Sequence, residues 1–200
     1  MAPHPDPHSL AGRKAELRRT ALAARDALDP DARRAASAAI AETLLGLEPL
    51  RASTLVAGYW PIRSEIDPRP VMKALAERGT RIALPHVTPD GLVFREWMPG
   101  ATLVRGQFGL SEPDPSLPAV APDALLVPLA AFDAEGRRLG YGRGYYDGAI
   151  ARLSEGRALL TIGICYAAQE VPEVPVEPHD KSLSAIVTEA RTFHFEGARG

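Results

Sequence analysis

The sequence predicts an α/β domain of three layers, Rossmann-like, with a largely parallel central sheet and helices on both faces. Two observations predict it. Short apolar runs without polar alternation are separated by helix-like segments, as expected for strands buried on both faces. A glycine-rich segment also follows one such run and precedes a helix, where sheets of this kind bind ligands.

The elements follow in order. Residues 10–28 are rich in helix formers, with Leu17, Ala21 and Leu28 sharing a face. Asp29 and Pro30 supply an N-cap and a first-turn proline for a second, alanine-rich helix that ends at Gly46. Residues 54–60 read as a strand, and Asp67-Pro68 opens a helix that Gly79 closes. Residues 80–85 and 92–97 are β-like, and 124–128 form a short apolar run. A helix over 145–155 and a buried strand over 158–165 complete the alternation. Residues 99–122, rich in glycine and proline, read as a pocket wall or a surface crossover, and composition favours the crossover. Residues 1–9 are expected to be a disordered leader, and 10–200 a single domain.

The 200 residues are 46% apolar, enough for one sizeable core, and the formal net charge of -2 speaks against general nucleic-acid binding. Cys165 is the only cysteine and lies in an apolar run, so it reads as core filler in a reducing compartment. No stretch approaches the length of a membrane span, so a cytoplasmic protein is expected.

The segment Arg138-Leu-Gly-Tyr-Gly-Arg-Gly-Tyr-Tyr-Asp147 has the composition of a phosphate cradle. Gly140, Gly142 and Gly144 permit positive φ and can turn successive N–H groups toward one point. A helix starting near Gly144 adds its positive dipole end. Arg143 adds a cation, and Asp147, one turn on, is placed to help hold a metal that bridges phosphate oxygens. The spacing matches neither Gly-x-x-x-x-Gly-Lys-Ser/Thr nor Gly-x-Gly-x-x-Gly, so the flanking charges carry the assignment to a nucleoside triphosphate site.

Lys14, Arg18 and Arg25 share a helical stripe, which suggests a basic edge over that site. Glu65 follows the aromatic run Tyr59-Trp60 with no structural duty of its own, unlike Asp67, which reads as the helix cap. His179-Asp180 reads as a local hydrogen-bonding feature, since no nucleophile motif or His/Cys cluster accompanies it.

Together these residues resemble the 5-formyltetrahydrofolate cyclo-ligase family. The match runs from Val127-Pro-Leu-Ala-Ala-Phe-Asp133 through Gly136 and Arg138-Leu-Gly to Gly142-Arg-Gly-Tyr-Tyr-Asp147. Lys14-Ala-Glu-Leu-Arg18, Tyr59-Trp-Pro-Ile-Arg-Ser-Glu-Ile-Asp67, Phe108-Gly-Leu-Ser-Glu-Pro113, and His179-Asp180 with Ala185-Ile-Val-Thr-Glu189 support it. The resemblance implies ATP as co-substrate, Mg²⁺ and a reduced folate, 5-formyltetrahydrofolate, as partners of a monomer. It places Arg138, Leu139, Gly140, Tyr141, Gly142, Arg143, Gly144, Tyr145 and Tyr146 on ATP, with Lys14 and Arg18 on its phosphates. It assigns Mg²⁺ to Asp147 and Asp180, and the pterin to Trp60 and Glu65. The stretch from Tyr141 through Gly142, Arg143 and Gly144 to Tyr145 would touch the formyl end, with Arg143 and Tyr145 catalytic. Arg143 stands where many relatives carry Lys or Gly, and Ser184 where relatives often carry an acidic residue, a departure that would weaken Mg²⁺ binding if that carboxylate assists the metal.

Two other readings compete. A folate- or nucleotide-binding regulatory or RNA-associated module would need the site only for binding, which the intact Arg-Gly-Tyr-Asp cluster argues against. A sugar-phosphate isomerase or CoA-transferase relative lacks a catalytic carboxylate placed for its chemistry.

Overall fold

The computed structural model describes residue 6 and residues 9–177 and 180–195. The expected leader therefore lies largely outside the described residues, as does His179. Three helices come first: α1 (Leu10–Asp26), α2 (Pro30–Gly46) and the single turn α3 (Glu48–Arg51). Ser9 caps α1 by accepting from the Gly12 N–H, and Asp29 caps α2 ahead of Pro30. There follow β1 (Leu55–Ala57), α4 (Arg69–Glu77), β2 (Arg81–Thr88) and β3 (Gly91–Glu96). Next are β4 (Val104–Arg105), β5 (Ser111–Glu112), β6 (Ala119–Val120) and β7 (Ala124–Pro128). The chain continues through β8 (Ala131–Phe132), β9 (Arg138–Leu139), α5 (Tyr145–Leu153), β10 (Leu160–Ile164), β11 (Ala185–Val187) and β12 (Thr192–His194).

Eight strands form the main sheet in the order β12-β11-β10-β7-β1-β2-β3-β6. The five central strands, β11 to β2, are mutually parallel. Antiparallel pairs flank them, β12 on β11 and the β2-β3-β6 ribbon. Alternate residues of each strand serve opposite faces. Val56, Ile82, Leu126 and Ile162 pack beneath α2 and α4. Leu55, Ala57, Leu125 and Val127 pack against α5. That is the three-layer arrangement the continuous apolar runs require. Helix α1 belongs to neither outer layer; its Ala21 packs on Ala131, Leu139 and Val174.

The chain leaves β1 for β2 on one side and later returns to β7 on the other, so the strand order reverses between β1 and β7. A crevice opens at the carboxyl ends of strands at such a reversal. Asp123 fixes this junction, with Oδ2 accepting from the Thr54 N–H (2.9 Å) and hydroxyl (2.7 Å) and Oδ1 from the Leu55 N–H (3.1 Å). Burial opposes its charge, but these donors prevail and hold the carboxyl below its ordinary range. Its stabilising effect is therefore present above the unfolded-state value of about 3.9 and lost as pH falls through the lower folded-state value. Asp123→Ala is expected to lower stability at neutral pH by about 2 kcal/mol and to shrink the acid-induced loss seen below about pH 4. Denaturant titrations from pH 2 to 7 measure both.

Two boundaries differ from expectation. The first strand spans three residues; the Gly58 N–H still bonds the Ala83 carbonyl at 3.0 Å, and the Met72 thioether takes the place a Cβ on Gly58 would need. Helix α4 starts at Arg69 with Pro68 in the cap position and no side-chain cap; Asp67 instead accepts from the Arg69 N–H and grips its guanidinium.

Candidate active site

The long connection after β7 is a built element. β8 and β9 pair as a hairpin whose turn is organised by Asp133, a fully buried carboxylate. Asp133 accepts from the N–H groups of Glu135 (3.1 Å), Arg137 (3.0 Å) and Val174 (2.8 Å), which satisfies a charge that would otherwise be costly to bury. The hairpin delivers Arg138 and the glycine loop to the carboxyl ends of β1, β2 and β7. There they close a cleft of about 460 Å³ with Tyr59, Trp60, Pro85 and Pro128.

One end of the cleft is a hydrogen-bonded carboxylate. Glu65 Oε2 accepts from the Ile62 N–H (2.8 Å), and Oε1 accepts from the Tyr141 hydroxyl. That hydroxyl in turn accepts from Arg25 Nη1 at 2.7 Å. Burial raises the Glu65 carboxyl above its ordinary value, opposed by Tyr141, the Ile62 N–H and Arg25. Burial and the nearby Glu65 charge push the Tyr141 phenol well above its own, so it stays a donor. Trp60 forms the wall, edge-on to Trp97 with centroids 5.8 Å apart and the Arg69 guanidinium over its ring.

The other end is charged. Arg138 is buried and donates from Nη2 to Asp147 Oδ1 at 2.7 Å. Burial lowers its affinity for the proton, and Asp147 and Asp180 oppose that. Asp147 Oδ1 also accepts from the Lys181 N–H, which draws the neighbouring Asp180 toward the same corner. Lys14 Nζ bridges Asp180 (2.7 Å) and Glu177 (2.8 Å); burial works against its charge, but the two carboxylates more than offset it and its affinity for the proton is raised. Arg138 and Lys14 thus already occupy an oxygen each of Asp147 and Asp180, and among the described residues no group of three or more His, Cys, Asp or Glu is placed to hold a metal ion.

Between the two ends runs the loop. Gly142 (φ 91°) and Gly144 (φ 65°) adopt the left-handed conformation, as expected for residues that turn N–H groups inward. Gly140 does not; its carbonyl accepts from Arg18 Nε at 2.8 Å, and the Arg18 guanidinium lies against Gly142. Gly144 precedes α5, whose first turn has no side-chain cap and whose Tyr145, Tyr146 and Asp147 line the cleft.

The family model for the 5-formyltetrahydrofolate cyclo-ligase family matches residues 11–189. The chain belongs to that family. It is similar to the 5-formyltetrahydrofolate cyclo-ligase of Mycolicibacterium smegmatis (32% identity, covering 89% of this chain and 94% of the relative). It is also similar to that of Saccharomyces cerevisiae (31%, covering 90% and 96%). Among solved structures it resembles the 5,10-methenyltetrahydrofolate synthetase of Aquifex aeolicus, with a TM-score of 0.79 and 32% identity over 94% of this chain and 95% of that one. The Mycoplasma pneumoniae synthetase gives a TM-score of 0.72 at 25% identity over 88% and 98%.

The cleft gathers Trp60, Glu65, Arg138, Gly140, Tyr141, Arg143, Gly144, Tyr145, Tyr146 and Asp147, whereas Gly142 does not line it. Lys14, Arg18 and Asp180 sit beside it through the contacts above, and Leu139 is buried behind the loop against Ala21. Arg143 is exposed, with its guanidinium 4.4 Å from the Phe108 ring centroid. Three expectations change. Arg25 is no part of a basic edge, for it is 2% exposed beneath Glu65. Residues 99–122 are more than a surface crossover, since Phe108, Leu110, Ser111 and Glu112 wall the cleft. Ser184 hydrogen-bonds Thr161 where β10 and β11 begin, at the amino ends of the strands, whereas the cleft opens at the carboxyl ends. The signal for the 99–122 wall was available in Phe108-Gly-Leu-Ser-Glu-Pro113, one of the segments that carry the resemblance; Arg25 offered none beyond its spacing from Arg18.

Proposed function

We propose that this chain converts 5-formyltetrahydrofolate to 5,10-methenyltetrahydrofolate, with ATP going to ADP and phosphate. The observation that carries this is the pairing, in one cleft, of a partly buried acceptor carboxylate with a glycine and arginine loop. The pterin presents N3–H and its 2-amino group as adjacent donors, and Glu65 offers two oxygens already held in place by Ile62 and Tyr141. Trp60 flanks the ring. The formyl group on N5 then points to the stretch from Tyr141 to Tyr145, and Arg138, Arg18, Lys14 and the loop N–H groups face the nucleotide phosphates.

Phosphoryl transfer needs positioning and charge neutralisation more than a protein nucleophile. The formyl oxygen attacks the γ-phosphorus and ADP leaves. N10 attacks the formyl carbon, phosphate departs with that oxygen, and loss of the N10 proton leaves the amidinium bridge. Arg143 neutralises charge on the transferring phosphoryl, and Tyr145 orients the formyl oxygen. Asp147 and Asp180 would hold Mg²⁺, which when bound neutralises phosphate charge.

Purified protein with 5-formyltetrahydrofolate, ATP and Mg²⁺ is expected to develop the near-ultraviolet absorbance of the methenyl product, with one ADP formed per turnover. Folate binding without any absorbance change would replace this reading with a binding module.

A further inference from the structure

Arg25 lies at the end of α1, outside every motif that marks the site, and its side chain is fully buried beneath the pterin end of the cleft. Its contacts settle the direction of a proton. A guanidinium only donates, whereas a phenol hydroxyl donates once and also accepts. Arg25 Nη1 donates to the Tyr141 oxygen at 2.7 Å, so the single Tyr141 proton is directed at Glu65 Oε1. The Ile62 N–H occupies Oε2 at 2.8 Å. Arg25 is itself held in register: Nε donates to the Ser64 hydroxyl at 2.9 Å, and that hydroxyl donates onward to Asp26. The Tyr141 and Ile62 protons both point toward Glu65, while those of Arg25 Nε and Ser64 run away from it to Asp26.

We infer that Arg25 is a positioning residue that orients the Tyr141 proton and so keeps Glu65 a pure acceptor, which makes the cleft select ligands whose buried edge carries two adjacent donors. The inference rests on the folate reading for the identity of that edge. A pterin meets the requirement with N3–H and the 2-amino group. Its 2-oxo counterpart sets a lone pair against the carboxylate, and sites built to receive a donor reject such analogues strongly. Glutamine in place of Arg25 presents a carbonyl as readily as an amide. Tyr141 is then free to donate to it and turn its lone pairs on Glu65, which relieves the conflict by taking up a proton and becoming a donor itself.

The test is equilibrium binding without ATP, by calorimetry, of 5-formyltetrahydrofolate and its 2-oxo analogue. The wild type is expected to prefer the 2-amino ligand by at least about tenfold. In Arg25→Gln that ratio is expected to fall below about threefold, and 2-oxo binding to strengthen as pH is lowered from 8 to 6. A purely structural Arg25 would weaken both ligands alike and leave the ratio unchanged. If Arg25→Gln does not fold, the wild type carries the test: with Arg25 in place the 2-amino preference is expected to hold from pH 8 to 6, and its collapse over that range overturns the inference. An unchanged ratio in a folded variant, or no preference in the wild type, overturns the inference. Wild-type preference without methenyl formation would instead sink the cyclo-ligase reading and leave this one standing.

Discussion

Glu65→Gln is expected to weaken 5-formyltetrahydrofolate binding about a hundredfold while leaving ATP affinity within about a factor of two. Hydrogen bonds to a charged acceptor are worth about 1.5–3 kcal/mol each, and every 1.4 kcal/mol is tenfold in affinity. Glutamine has one acceptor oxygen where the site supplies two donors, the Ile62 N–H and the Tyr141 hydroxyl. Whichever way the amide is turned, its NH₂ opposes one of them or faces the donors of the pterin. On the proposed assignment the nucleotide phosphates lie at the Arg138 end of the cleft, so ATP binding is expected to be spared. Calorimetry with each ligand alone separates the two effects, and loss of ATP affinity would place Glu65 in the wrong half of the cleft.

Asp147→Asn is expected to act on stability and turnover together. The Arg138 side chain is 3% exposed and Asp147 Oδ1 sits 2.7 Å from its Nη2. Removing one charge of a buried pair costs about 3–5 kcal/mol when nothing replaces it. Asparagine keeps an acceptor for Arg138 and for the Lys181 N–H, so a loss near the lower end, about 3 kcal/mol, is expected. Turnover should fall more than a hundredfold, and the Mg²⁺ concentration for half-maximal rate should rise at least tenfold, about the effect of losing one of two charged ligands. A carboxylate that served only the metal would leave the denaturation midpoint unmoved. A Mg²⁺ titration superimposable on the wild type would remove Asp147 from the metal while leaving its ion pair intact.

Most of the layer architecture was legible because it depends on local and periodic signals. Asp29 marks a helix start by satisfying free N–H groups, and the runs around Val56, Leu126 and Ile162 have no polar alternation because both sheet faces are covered. The glycine loop was legible for the same reason, since positive φ at Gly142 and Gly144 is a backbone property written in the residue type. Lys14 and Arg18 were legible as cations; their neighbours were not.

What stayed hidden depends on contacts between distant segments. Arg25 and Tyr141 are separated by 116 positions, and Lys14 and Asp180 by 166. A helical stripe of Lys14, Arg18 and Arg25 looks uniform on a wheel, yet α1 packs so that Lys14 meets carboxylates, Arg18 meets the loop carbonyl and Arg25 goes under Glu65. Residues 99–122 likewise read as a surface crossover until their fold over the cleft is seen.

By itself, then, the sequence determined the α/β class, the order of its elements, the loop from Arg138 to Asp147 and the family, all encoded in residue type and short-range spacing. Only the tertiary structure decided which charges pair, that Arg138 is buried against Asp147, and which way the Tyr141 proton faces. Those depend on the dielectric surroundings and on donor counts set by residues far apart in the chain, which no local pattern records.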